Sequence, residues 1–359
     1  MNPGRLNQLL GAFGRLRIAV VGDFCLDRYL EIDPDHREVS IETGLPVHKV
    51  VRVRAQPGAA GTVLNNLAAL GVGTLFPVGF CGEDGEGFEL ESCLRNLSAV
   101  SMQGFIRTPL RRTFTYCKPL LVRAGFPPVE LSRLDSKNWT PTPSELCDLF
   151  ARNVRELCGR ADAVVVMDQV DVRATGVLSA PVLGALAELS REIPVLADSR
   201  NGFSAYPPLI FKMNRTEFAA ATGCNPAVEL ATLKTAMESF LQTHGKQVFV
   251  TLAEEGILGI HPGEAPCWTG SLPLRGPIDV VGAGDSVTAA LAAALAAGAS
   301  TAEAMELAML AASLTVHQLG TTGTAEPSAI AALNALNALN ALNALNALNA
   351  LNALNAERA

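Results

Sequence analysis

A carboxylate beside a glycine-rich turn is the feature of this sequence best suited to chemistry. Residues 279–285 read D-V-V-G-A-G-D, and an alanine-rich stretch of helical composition follows. Gly282, Ala283 and Gly284 are small, so their backbone N–H groups and the positive end of the next helix can face a phosphate. Asp285 would repel that phosphate, which makes sense if it takes a proton from an attacking hydroxyl. Taken alone, the segment fits a helix N-cap equally well.

A second short segment offers oxygen ligands for Mg²⁺. Asn214 and Glu217 lie in N-R-T-E, ahead of the glycine turn. Amide and carboxylate oxygens suit Mg²⁺ and its waters, which would order the phosphates of a nucleotide. The pattern is weak by itself, and the start of a surface helix is the alternative interpretation.

Together the two segments resemble the signatures of one enzyme family. Residues 279–285 resemble the D-[TV]-x-G-A-G-D motif of the ribokinase-like (PfkB) carbohydrate kinases, and N-R-T-E resembles their N-x-x-E motif. The resemblance implies that Asp285 is the catalytic base and that the G-A-G backbone forms the anion hole. It also implies ATP and Mg²⁺ as cofactors, with Asn214 and Glu217 ordering the metal.

The resemblance extends to the nucleotide side of the site. The family's nucleotide contacts begin where this chain reads T-L-A-E-E-G, which places Thr251, Glu254 and Gly256 beside the nucleotide. The family pattern is also compatible with a monovalent cation, K⁺, near Asp279.

The N-terminal half is similar to the heptose-phosphate kinase branch, including the kinase half of the bifunctional heptose kinase/adenylyltransferases. V-V-G-D-F-C-L-D-R-Y-L at residues 20–30 carries this similarity. Asp27 matches the family's sugar-binding Asp, and a carboxylate can accept hydrogen bonds from two neighbouring hydroxyls. Gly58 and Thr62 fall in the segment that resembles the sugar loop and its helix. The resemblance spans about residues 15–328.

The sugar loop departs from the family pattern at two positions. Ala59 replaces the second glycine of a Gly-Gly pair and adds a methyl group where the backbone approaches the sugar. Thr62 replaces an Asn that contacts substrate in the family. These changes leave the identity of the sugar open.

Basic side chains near the expected pocket could clamp the phosphate of a phosphorylated sugar. They are Arg28, Arg112, Arg133 and Arg200. We place Arg28 in the acceptor site, although each of the four is by default a solvated surface residue.

These residues need a scaffold that brings them together. Apolar runs at residues 17–23, 161–168 and 193–198 read as buried strands, and each ends in Asp. Helical patterns such as residues 61–71 separate the strands. This alternation predicts an α/β fold with a mostly parallel central sheet, whose ligands bind at the carboxyl ends of the strands.

The predicted fold is therefore a ribokinase-like three-layer α/β sandwich with a small β-lid. The kinase domain is expected over residues 15–328, with the lid from about residues 28–57 and 104–125. Residues 333–356 repeat Leu-Asn-Ala eight times. A period of three matches neither 3.5 nor 3.6, so leucines would precess around a helix, and this tail reads as a loosely helical or disordered extension. Self-association through the tail is the alternative.

Composition excludes several other classes of protein. A net charge of −7 without a polybasic run indicates no nucleic-acid partner. Apolar runs stop short of the ~18 residues of a membrane span, and no signal-peptide pattern or C-x-x-C pair is present, so we expect a cytoplasmic protein. The sequence lacks the G-x-x-x-x-G-K-[ST] motif, so we do not expect a P-loop kinase. It also lacks the H-x-G-H motif of nucleotidyltransferases, so we do not expect a fused adenylyltransferase.

The predicted function is ATP-dependent phosphorylation of a hydroxyl on a sugar or sugar phosphate, with heptose 7-phosphate as one candidate. A kinase for a nucleoside or a fructose phosphate is one alternative. A catalytically silent protein that binds sugar or nucleotide is the other, motivated by the altered sugar loop. Homodimerisation through the lid is common in the family, so the resemblance implies that this chain can form a homodimer.

Overall fold

The computed structural model describes residues 1–356, except for the side chains of most residues from 341 onward. The strands are β1 Arg17–Gly22, β2 Phe24–Val39, β3 Pro46–Ala59, β4 Thr74–Gly82, β5 Phe105–Thr108, β6 Phe114–Leu121, β7 Val129–Glu130, β8 Leu134–Ser136, β9 Ala163–Asp168, β10 Val195–Ser199, β11 Ile210–Asn214, β12 Val248–Thr251, β13 Ile257–Ile260 and β14 Cys267–Thr269. The helices are α1 Pro3–Phe13, α2 Ala60–Ala69, α3 Gly85–Arg95, α4 Ser144–Arg155, α5 Ala180–Leu189, α6 Arg215–Thr222, α7 Leu230–His244, α8 Ala283–Ala296, α9 Thr301–Thr315 and α10 Pro327–Ala356.

A nine-stranded sheet forms the centre of the fold, in the order β14-β13-β12-β11-β10-β9-β1-β4-β5. The seven strands from β12 to β5 are parallel, and β13 and β14 complete one edge in antiparallel pairing. Strands such as β1 and β9 are apolar on both faces because helices cover both sides of the sheet. The mostly parallel α/β sheet predicted from the strand–helix alternation is confirmed.

Two hydrophobic cores lie on opposite faces of this sheet. One contains apolar side chains of α1, α2, α3, α8 and α9, and the other contains those of α4, α5, α6 and α7. The helices thereby leave the carboxyl ends of the parallel strands open, where Asp168, Ser199 and Asn214 end their strands.

A second sheet forms the lid, in the order β3-β2-β6-β7, with β8 also paired to β6. The segment expected from about residues 104–125 needs correction at both ends. β5 pairs in parallel with β4 and belongs to the central sheet, so the second lid segment begins at Phe114. The lid also includes β7 and β8, which extend it to Ser136.

The Leu-Asn-Ala repeat is helical in the structure, as part of α10. Only the start of this helix is packed, with Ile330 and Leu333 buried and the Asn334 amide donating to the Met1 carbonyl. Leu336 and Leu339 are already exposed, as the precession of a three-residue period requires.

None of the described helices combines the length and apolar character that a membrane crossing requires.

Ala59 occupies a backbone conformation that normally favours glycine. It precedes α2 with φ 54° and ψ −118°, so its methyl group is held where an L-residue is strained. The family's glycine at this position would adopt the same turn without that strain.

We therefore expect Ala59→Gly to raise the free energy of unfolding by about 1 kcal/mol, because it relieves strain in the folded state. Ala68→Gly, in the interior of the same helix, is the matched control and should lower it by about 1 kcal/mol. Urea unfolding of the two variants and the parent chain measures both changes. A loss of stability in Ala59→Gly equal to that in Ala68→Gly would show that the turn is not strained.

Candidate active site

The glycine turn forms the N-terminus of α8 as predicted from the sequence. Gly282 is the N-cap, with φ 81°, and Ala283 donates its N–H to the Val280 carbonyl at 3.2 Å. The N–H groups of Gly284 and Asp285 have no hydrogen-bond partner among residues 1–356. Of the predicted G-A-G set, Ala283 already bonds within the turn, whereas the N–H groups of Gly282 and Gly284 donate to no residue in the described part of the chain.

Asp285 lies in the first turn of α8 and is half-buried. Burial and, after it, the charge of the neighbouring Asp198 raise the pKa of its carboxyl group to about 7. Lys212 and Arg200 act in the opposite direction and favour the ionised form. The result is a carboxyl group that exchanges a proton near neutral pH, which is what a general base requires.

A buried ion pair lies directly beneath this turn. The Lys212 ammonium donates to Asp198 Oδ2 at 2.8 Å, and Thr288 of α8 donates to the same oxygen at 3.0 Å. A Cβ on Gly284 would lie 3.3 Å from Lys212 Nζ, so the ammonium lies against the anion-binding backbone. Burial opposes the charge of Lys212, but Asp198 raises its pKa above the ordinary value, which keeps this lysine protonated.

The turn opens onto a cleft of about 690 Å³. Its walls include most of the residues predicted on the nucleotide side: Asn214, Thr251, Glu254, Gly256, Ala283 and Gly284. Apolar side chains, among them Leu272, Ile278 and Met309, line the rest of the cleft. Gly256 has φ 101°, and a Cβ there would meet the Thr269 carbonyl at 2.1 Å, so the turn after β12 requires glycine. The cleft can hold a flat aromatic ring beside a phosphate site.

Asn214 and Glu217 form a reciprocal capping box at the start of α6. Asn214 Oδ1 accepts from the Glu217 N–H at 2.8 Å, and Glu217 Oε2 accepts from the Asn214 N–H at 2.7 Å. This geometry matches the interpretation of N-x-x-E as a helix start. The second carboxylate oxygen, Glu217 Oε1, accepts no hydrogen bond from residues 1–356. Burial raises the pKa of Glu217. In the described part of the chain, no cluster of three His, Cys, Asp or Glu side chains could hold a metal by itself.

The lid contributes Asp27 to the opposite side of the site. Its carboxylate is buried, and a Cβ on Gly58 would lie 2.7 Å from Asp27 Oδ2, so glycine is required there for this contact. Lys118 of β6 donates to Asp27 Oδ1 at 3.1 Å and lies over the Tyr29 ring. Lys118 is a site residue that the sequence did not identify.

Two predicted acceptor residues lie elsewhere. Arg28 follows Asp27 on β2, and because side chains alternate along a strand it faces α3, where it donates to Glu89 at 2.8 Å. Thr62 is fully buried in α2, and its hydroxyl donates to the Pro57 carbonyl. The placement of Arg28 does not support its assignment to the acceptor site. Thr62 contacts the segment before α2 through its hydrogen bond to Pro57.

The other arginines have different neighbours. Arg112 is exposed, and Arg133 is paired with Asp135. Arg200 follows β10 at the carboxyl edge of the sheet and is exposed, and its charge lowers the pKa of Asp285. Of the three, Arg200 is the cation whose charge acts on the reacting end of the site.

Asp279 closes the loop in front of the turn. Its carboxylate accepts from the N–H of Val281 at 3.0 Å and from the N–H of Gly320 at 3.1 Å. The bond to Gly320 joins the segment before α8 to the segment after α9. A monovalent cation near Asp279 stays a prediction.

A family model for "pfkB family carbohydrate kinase" matches residues 182–329, which include Asn214, Glu217 and Asp285. The chain is 36% identical over 317 residues to a bifunctional protein HldE of Alkalilimnicola ehrlichii. It is 33% identical over 309 residues to the HldE of Gluconobacter oxydans. These alignments cover 87% and 85% of the chain but 62% of each relative. The chain thus spans less than two thirds of the length of these curated relatives.

Residues 182–329 thus match the pfkB family of carbohydrate kinases, and the similarity to the HldE proteins extends over most of the chain.

Solved structures show that this kinase domain has the ribokinase-like fold. Arabidopsis thaliana ribokinase complexed with ribose and ATP matches with a TM-score of 0.64 at 21% identity, over 88% of this chain and 97% of that one. Escherichia coli phosphofructokinase-2 in complex with fructose-6-phosphate matches with a TM-score of 0.65 at 16% identity, over 88% and 96%. The three-layer fold expected from the resemblance is confirmed.

Sequence reasoning missed two charged residues of the kinase domain, Lys118 and Lys212, and it identified Asp198 only as an Asp at the end of a strand. A signal for Lys212 was present, because a single lysine inside the apolar strand Ile210–Asn214 must be paired to be buried. Its partner could not be read from the sequence, since the pairing is tertiary.

We predict that Lys212→Met lowers the free energy of unfolding by about 3 kcal/mol at pH 8, because it leaves Asp198 charged and unpaired in the core. The loss should shrink toward pH 5, since an unpaired buried carboxylate has a raised pKa and becomes neutral by taking up a proton. Urea unfolding at the two pH values measures this.

The double variant Lys212→Met/Asp198→Asn is the matched control and should recover most of the loss at pH 8. Parent-like stability of Lys212→Met at pH 8 would contradict a buried ion pair.

Proposed function

We propose that the kinase domain transfers the γ-phosphoryl group of ATP to a hydroxyl of a sugar or sugar phosphate. Asp285 takes the proton of the acceptor hydroxyl as its oxygen bonds to phosphorus and ADP leaves. The free N–H groups of Gly284 and Asp285, together with the Lys212 charge behind them, stabilise the negative charge of the transferring group.

The observation that carries this proposal is the position of one proton acceptor between two binding regions. Asp285 directly follows Gly284, which lines the cleft together with Thr251 and Gly256, and the lid carboxylate Asp27 is near enough to influence the pKa of Asp285. A phosphate donor on one side and a hydroxyl on the other would meet at this carboxylate.

Asn214 and Glu217 suit an indirect contact with Mg²⁺. The metal usually keeps several waters and binds through substrate phosphates with one or two carboxylates, and Glu217 Oε1 is available for such a contact. When bound, Mg²⁺ would neutralise charge on the phosphates of the nucleotide. The capping box holds Glu217 against Asn214, which lines the cleft.

A heptose 7-phosphate is the acceptor that we favour. The HldE relatives and the similarity of residues 20–30 to heptose-phosphate kinases support it. Asp27 would accept hydrogen bonds from sugar hydroxyls, with Lys118 holding the carboxylate in place. Arg200 replaces Arg28 as the candidate for binding an acceptor phosphate, because its charge reaches Asp285.

A fructose phosphate is the second candidate acceptor, since the phosphofructokinase-2 fold matches as well as the ribokinase fold. A silent binding protein is disfavoured because Asp285 and the free N–H groups of α8 form a reactive arrangement that binding alone does not need. Homodimerisation through the lid stays a prediction.

We predict that Asp285→Asn lowers the rate of phosphoryl transfer at least 100-fold, because the amide cannot accept the proton of the acceptor hydroxyl. Nucleotide binding should persist, since the cleft walls are unchanged. ADP formation is measured with Mg²⁺ and ATP against heptose 7-phosphate, ribose, fructose 6-phosphate and a nucleoside, and binding of ATP is measured by calorimetry.

Asp279→Asn is the matched control on the same loop and should retain more activity than Asp285→Asn. Near-parental turnover in Asp285→Asn would remove the base from the mechanism. No turnover of any acceptor by the parent chain would favour the silent binding protein.

A further inference from the structure

Gln56 is a lid residue that reaches across to the core of the protein. It lies opposite Asp27 in the β2–β3 register, so the two side chains share the inner face of the lid. Its amide Nε2 donates to Thr322 Oγ1 at 3.0 Å, and its Oε1 accepts from Thr321 Oγ1 at 3.3 Å. Both partners belong to the loop between α9 and α10. A single amide thereby joins the lid to a loop more than 260 residues away.

The loop that Gln56 reaches also supports the anion site. Thr322 is buried, and its Cβ and Cγ2 lie 3.2 Å from where a Cβ on Gly282 would be. Two residues earlier, the Gly320 N–H donates to Asp279. The loop thus contacts the glycine turn at two points: at Gly282, the N-cap of α8, and at Asp279, the first residue of the turn.

Gln56 has one further contact, within the lid. Its Nε2 also lies 3.3 Å from the Tyr29 hydroxyl, which in turn contacts Lys118, the partner of Asp27. Polar contacts therefore run from the acceptor carboxylate through Gln56 to Thr322, and the Thr322 side chain packs by its carbon atoms against Gly282. The position of the lid and the shape of the glycine turn share these contacts.

We propose that Gln56 is a positioning residue that links lid closure to the geometry of the anion site through Thr322, an inference that rests on the proposed phosphoryl transfer. With the lid held by this link, the acceptor hydroxyl is the only nucleophile admitted to the γ-phosphorus. When the link is lost, water reaches the same phosphorus. The P–O bond to ADP then breaks as a P–O bond to water forms, Asp285 takes up the proton that the water loses, and ADP and inorganic phosphate are released.

The link is tested with side chains that keep shape but lose the hydrogen bond. Gln56→Met removes the amide, and Thr322→Val removes the hydroxyl while keeping the branched contact with Gly282. Each should raise the ratio of phosphate release to acceptor phosphorylation about fivefold, the effect of one neutral hydrogen bond of about 1 kcal/mol. The double variant should be no worse than Gln56→Met alone, because Thr322→Val removes a hydrogen bond that Gln56→Met has already removed.

Arg52→Met is the matched control, since this exposed arginine lies on the same strand and face as Gln56 but does not reach the loop. It should leave the ratio at the parental value. Additive effects in the double variant, or an equal rise in Arg52→Met, would overturn the link.

A second measurement separates this inference from the proposed reaction. Hydrogen exchange of the protein without acceptor should be faster at residues 280–284 in both Gln56→Met and Thr322→Val than in the parent chain. This result requires no turnover, so it stands even if every acceptor fails and the proposed function is wrong. Parental exchange rates at residues 280–284 in Gln56→Met would refute the link whatever the activity.

Discussion

The repulsion between a carboxylate and an anion that must lie beside it is the constraint on which the rest of this structure depends. Asp285 is placed in the first turn of α8, next to N–H groups that attract phosphate. Burial and Asp198 hold its pKa near 7, so the carboxyl group carries its charge only part of the time at neutral pH. Lys212 supplies a compensating positive charge from below, and Asp198 keeps that lysine protonated inside the core.

The fold brings these groups together by its topology. Lys212, Asp198 and Asn214 belong to neighbouring parallel strands, β10 and β11, whose carboxyl ends meet at one edge of the sheet. α8 packs over the same edge and directs its N-terminus toward them. The lid adds the acceptor side from a separate sheet, and Gln56 is the residue that connects that sheet to the anion site. The groups of the proposed site thus come from the lid, from β10 and β11, and from the start of α8, which lie far apart in the sequence.

Local patterns predicted part of this arrangement well. The turn at residues 279–285 has a distinctive composition, and strand–helix alternation indicated the mostly parallel sheet. Arg28 shows where such reasoning ends, because its neighbourhood in sequence suggested the acceptor site while strand alternation directed it to Glu89. The predicted lid range of about residues 104–125 included Phe105–Thr108, which pairs with β4 in the central sheet, because the sequence does not show which sheet a short strand joins. Pairing partners, including those of Lys118 and Lys212, are decided by tertiary contacts that no local pattern contains.

The central claim is that an ionised Asp285 accepts the proton of the acceptor hydroxyl. The pH dependence of kcat/KM for the best acceptor tests it most directly. The activity should fall tenfold per pH unit below about pH 7, because the proton-accepting form of Asp285 is lost as the pH drops through its raised pKa. Circular dichroism across the same range confirms that the chain stays folded. A profile that is flat from pH 8 to about pH 5, well below that pKa, would contradict the assignment of Asp285 as the base.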